Sequence, residues 1–109
     1  MALLIFVIGF ASKKIMLIFT GKGKSELPTS IKIGGFTYSI KEVEGLADNG
    51  STDFDSQSIL IRKSMTTERK VSALLHEIIE IWNELGDLDL KHQTIQTLEA
   101  FLFQTIVDN

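Results

Sequence analysis

The chain of 109 residues contains no cysteine, a single proline and only two histidines. The missing cysteines exclude disulfides, cysteine-based zinc sites and thiol catalysis, and they agree with a reducing cytoplasm as the expected compartment. Any metal must therefore be held by His, Asp or Glu, so His76 and His92 both carry weight. A basic excess is lacking too. Lys and Arg number 11 against 14 Asp and Glu, a formal net charge of −3. Proteins that bind nucleic acid show a basic footprint, so no such partner is expected. Long apolar runs are also missing. Residues 2–11 (ALLIFVIGFA) are about half the ~20 residues that a membrane-spanning helix needs, so no firm membrane association is expected. A chain of this length accommodates one domain with a single modest core.

Residues 1–20 admit three readings: a strand packed on the domain, an over-extended start with Met16 as the real beginning, or a targeting segment. The last lacks the positively charged start of a secretory signal. Residues 21–30 (GKGKSELPTS) hold the only proline and read as a linker. Within them, Gly23-Lys24-Ser25 looks like the end of a phosphate-binding loop. Ile18 stands where that motif requires glycine, and Pro28 interrupts the helix that must follow. The nucleotide reading fails.

Residues 31–109 form the predicted domain. Ile31, Ile33, Phe36, Tyr38 and Ile40 alternate around Gly34-Gly35, the pattern of a β-hairpin with a tight primed turn. Residues 45–50 (GLADNG) are turn-rich. Residues 51–54 and 58–62 flank Asp55-Ser56-Gln57 as a second hairpin, with Ile59 and Ile61 on its buried face. Asp53 and Asp55, beside that turn, are read as local backbone hydrogen-bonders. Beyond Lys63 the period changes. Ser64 or Thr66 can cap a helix whose apolar face is Val71, Leu74, Leu75, Ile78, Trp82 and Leu85, and Gly86 is placed to end it in the left-handed conformation. An acidic loop, residues 87–90, leads to a second helix over about 91–107. Its apolar face is Ile95, Leu98, Phe101 or Leu102, and Ile106, with Trp82, Phe101 and Phe103 expected to pack in or against the core. The order predicts an α+β domain, a small antiparallel sheet of hairpins followed by two packed helices.

The chemistry is concentrated at residues 76–80, His-Glu-Ile-Ile-Glu. His76 and Glu80 stand four residues apart on one helix face, and Glu77 lies one step round. This is the layout of a zinc-peptidase helix, with ligands at i and i+4 and a glutamate between them free to act as a base. On spacing alone, Glu77 and Glu80 can equally be surface charge. A catalytic zinc takes three protein ligands and leaves one position open. The third ligand is either His92, if the loop swings it back toward Glu80, or Glu99, two turns further along the second helix. A set of nitrogen and oxygen donors favours zinc. Glu77 would take a proton from metal-activated water as it attacks a carbonyl, and later pass that proton to the leaving amine.

Residues 71–83 (VSALLHEIIEIWN), 90–99 (LKHQTIQTLE) and 101–109 (FLFQTIVDN) resemble small phage- and prophage-encoded zincin-like proteins, distantly related to the ImmA/IrrE-type and SprT-like metallopeptidases. The resemblance covers roughly residues 30–109. It implies a zincin-like fold, a metal ligand at His76 and the catalytic glutamate at Glu77. The family's second histidine falls on Glu80, and its commoner form carries an acidic residue near the position of His92, so either histidine and acid have exchanged places and the ligand set is preserved, or the site has lost a ligand. The resemblance therefore implies a zinc-dependent peptidase with His76, Glu80 and His92 on the metal and a peptide or protein as substrate. Strand addition would lay such a peptide along an exposed edge strand, residues 58–62 or its neighbour. The alternative is a catalytically inactive phage accessory protein that acts by binding another protein.

Overall fold

Two glycines set the first turn. Gly34 and Gly35 adopt φ of 59° and 88°, the left-handed region that a two-residue primed turn demands and that side chains resist. They join β1 (Ser30–Ile33) to β2 (Phe36–Val43), with Ile33 opposite Phe36. The computed structural model describes residues 27–108, so the readings of residues 1–20, and of the phosphate-loop-like segment, fall outside it. Leu27, inside the expected linker, already belongs to the core.

The second hairpin pairs β3 (Gly50–Asp53) with β4 (Ser58–Arg62). Asp53 Oδ1 accepts from the Asp55 and Ser56 amides at 3.0 and 3.4 Å, the local role expected of it. The two hairpins do not make an all-antiparallel sheet. The strand order is β1-β2-β4-β3, and β2 runs parallel to β4. Residue type explains which strand goes inside. Ile59, Leu60 and Ile61 give β4 the near-continuous apolar run of an interior strand, whereas β3 reads Gly-Ser-Thr-Asp and suits an edge. The loop that carries the chain out to that edge is tied down by Arg62, whose guanidinium donates to the Leu46 carbonyl (2.9 Å) and to that of Ala47.

Helix α1 (Thr67–Gly86) begins at Thr66, whose hydroxyl accepts the Arg69 amide at 3.3 Å. Its stripe of Val71, Leu74, Leu75 and Ile78 packs on Ile33, Tyr38, Ile40, Ile59 and Ile61 of the sheet. Fully burying one such side chain is worth about 1.5–3 kcal/mol. Gly86 is the last helical residue, and Asp87 rather than Gly86 takes the left-handed conformation (φ 47°). Helix α2 (His92–Asp108) packs chiefly on α1. One neighbouring helix covers only a narrow stripe, so Ile95 and Ile106 are buried, Leu102 and Phe103 half-buried, and Leu98 exposed. Phe101, expected in the core, is 63% exposed for the same reason.

Candidate metal centre

Ser72, His76, Glu80 and Asn83 follow one another along α1 at steps of four, four and three residues, and so share one face. That face looks toward α2, which returns antiparallel across it. The loop achieves the return through two left-handed residues, Asp87 (φ 47°) and Asp89 (φ 56°). His92, the first residue of α2, thereby comes back to His76, and the two rings meet edge to face with centroids 5.4 Å apart. His76, Glu80 and His92 each offer one ligand atom, all within 4.8 Å of one another. The separation of His76 Nε2 from Glu80 Oε1 is 3.8 Å. A tetrahedral zinc with bonds near 2.0–2.2 Å spaces its ligand atoms by roughly 3.3 Å. The separations lie somewhat above that spacing, and the donor set, two imidazoles and a carboxylate, is one that suits the ion.

Glu99 stands elsewhere. Its Oε1 is 2.8 Å from His76 Nδ1, and its Oε2 accepts from the Ser72 hydroxyl at 2.5 Å. A carboxylate on Nδ1 calls for the proton on that nitrogen and leaves the Nε2 lone pair free for a cation. Glu99, the alternative third ligand, is thus bonded to His76 Nδ1 and stands outside the His76/Glu80/His92 group.

Glu77 is not surface charge. It is only 7% exposed, between the helix and β3. Thr52 Oγ1 donates to its Oε1 at 2.8 Å. Gly50 makes room for it, because a Cβ there would lie 3.2 Å from Glu77 Cγ. Burial pushes the Glu77 carboxyl above the ordinary glutamate value. The Thr52 hydrogen bond and His76 oppose this, while the charges of Glu80 and Asp48 add to it. The result is a carboxylate of raised basicity beside the His/Glu/His group.

These side chains line an open cleft of about 830 Å³ between α1, the start of α2 and β3, with Asp48, Arg69 and Gln96 at its margins. Sequence reasoning overlooked Ser72 and Asn83, although their spacing from His76 was a usable signal. It also overlooked Gly50 and Thr52, which have no local signal because only the sheet brings them to Glu77.

The class these features define is an α+β domain with a four-stranded mixed sheet, two helices and a His/Glu/His group placed to take a cation. Against protein-family models, curated proteins and solved structures, the chain finds no match.

Proposed function

We propose that this protein is a zinc-dependent hydrolase of the zincin-like kind, acting on peptide bonds, with His76, Glu80 and His92 as metal ligands and Glu77 as general base. The observation that supports this most is the return of His92 to within ligand distance of His76 and Glu80, with Glu77 buried alongside. When bound, zinc supplies Lewis acidity that makes water acidic enough to be deprotonated near neutral pH. Glu77 would take a proton from the attacking water and pass it to the leaving amine. Glu99, itself held by the Ser72 hydroxyl, anchors the His76 ring through Nδ1 and would leave Nε2 to take the ion.

The substrate strand belongs on β3. Ser58–Arg62 is interior, paired on both sides, so the edge beside the cleft is its neighbour Gly50–Asp53. The Arg62 amide donates to the Asn49 carbonyl at 2.9 Å. Antiparallel bonding alternates from there, so Gly50 and Thr52 turn their N–H and C=O groups to the open edge. A peptide added to that edge runs past Glu77. Incubating the zinc-loaded full chain with a mixture of unfolded proteins and reading the products by mass spectrometry tests this. Cleavage that disappears in Glu77→Gln supports the hydrolase. Bound zinc without cleavage assigns the domain instead to a non-catalytic protein-binding role.

A further inference from the structure

Helix α2 begins without a cap of its own. Its first helical bond runs from the Ile95 amide to the Lys91 carbonyl, which puts Lys91 at the capping position, and a lysine side chain has no acceptor to offer a free helical amide. The residue before it is instead held from outside. Asn83 Oδ1 accepts the Leu90 amide at 2.8 Å, and Asn83 Nδ2 reaches the Leu90 carbonyl at 3.5 Å. Both polar groups of one peptide segment, two residues before His92, are thereby fastened to α1.

Asn83 is one turn beyond Glu80, on the same face as His76. The loop it fastens is short and passes through two left-handed aspartates, Asp87 and Asp89. Such conformations are held only when the surroundings impose them. His92 is exposed, so close packing does not fix its position. Together with buried Ile95 and the Glu99–His76 contact, the Asn83–Leu90 contact holds the start of α2, and with it the place of this imidazole relative to His76 and Glu80.

We infer that Asn83 is a positioning residue for the metal centre, fastening Leu90 so that His92 is delivered as third ligand. The inference rests on the ligand set proposed above. Its test is zinc affinity of the full chain, measured by competition with a chromophoric chelator, together with the visible spectrum of the cobalt-loaded protein. Asn83→Leu keeps the branched shape and removes both bonds, and it weakens zinc binding about 10–100-fold, by analogy with the loss of an outer partner of a ligand. It also shifts the cobalt spectrum toward that of His92→Ala. Asn83→Asp keeps the acceptor for the Leu90 amide and loses less affinity than Asn83→Leu. In a His92→Ala background, Asn83→Leu causes no further loss. A purely structural role predicts the opposite, the same loss whether or not His92 is present, and that result overturns the inference. So does unchanged affinity in Asn83→Leu while His92→Ala weakens binding, an outcome that leaves the ligand set standing. Zinc binding unaffected by His92→Ala overturns the ligand set and this inference together.

Discussion

His76 and Glu99 are joined through the imidazole Nδ1 and a carboxylate oxygen 2.8 Å apart, across the interface of the two helices. The pair gives the histidine a defined direction. With Nδ1 occupied, only Nε2 can face Glu80 and His92. If Glu99 orients the ligand without being one, Glu99→Ala lowers zinc affinity about 10–100-fold yet still reaches one zinc per chain at saturation, as expected of an outer partner. Glu99→Gln, which keeps an acceptor for Nδ1–H, loses less. Isothermal titration distinguishes the two substitutions.

Glu77 ties the site to stability and pH. Its folded-state pKa is raised by burial, so in the window above the ordinary glutamate value the folded chain holds a proton that the unfolded chain has released. The contribution of Glu77 to the stability of the metal-free protein is therefore greatest below that window and is lost as pH rises through the raised pKa. Glu77→Gln removes this dependence. Its midpoint of thermal unfolding exceeds that of the unmodified chain at neutral pH, and the advantage shrinks on acidification toward the ordinary glutamate range.

Thr52 opposes the upward shift of Glu77 through its hydrogen bond. In Thr52→Val the carboxylate loses that donor, and the acid limb of the pH–rate profile moves to higher pH. Loss of a hydrogen bond to a buried charged group also costs about 1.5–3 kcal/mol, readable in urea unfolding at neutral pH.

Gly50 is needed for space rather than for backbone conformation. A Cβ there would meet Glu77 Cγ at 3.2 Å and Ile61 Cδ1 at 3.4 Å. Gly50→Ala forces the Glu77 side chain to give way, with a stability cost at the lower end of the about 1–3 kcal/mol typical of overpacking; if the chain is the proposed zinc hydrolase, hydrolysis falls more than zinc affinity. Parallel measurement of both quantities checks it.

Much of this arrangement was legible in the sequence. Alternation around Gly34-Gly35 and the 3.6-residue period from Val71 onward are local signals, and the hairpins and helices follow them. The parallel pairing of β2 and β4 is not local. It depends on which strand of the second hairpin docks inward, although the contrast between Ile-Leu-Ile in β4 and Gly-Ser-Thr-Asp in β3 points to the answer. The burial of Glu77 could have been read from Ala73 and Ile81, four residues to either side on the same helix line and both buried. Phe101 misled for a physical reason: a helix with one neighbouring helix need not bury every apolar residue near its stripe.

That contrast has its own test. Leu74 is fully buried, and Leu74→Ala should cost about 2–5 kcal/mol. Phe101→Ser, on the exposed side of α2, should stay within about 0.5 kcal/mol of the unmodified chain. Urea denaturation of both variants supplies the comparison.

The central claim is that two histidines, one from each helix, meet on one ion with Glu80. X-ray absorption at the zinc edge of the zinc-loaded full chain addresses it directly. The account predicts a light-atom coordination shell whose multiple-scattering pattern requires two imidazoles. A chain that retains no zinc, or a spectrum fitted by a single imidazole, would contradict it.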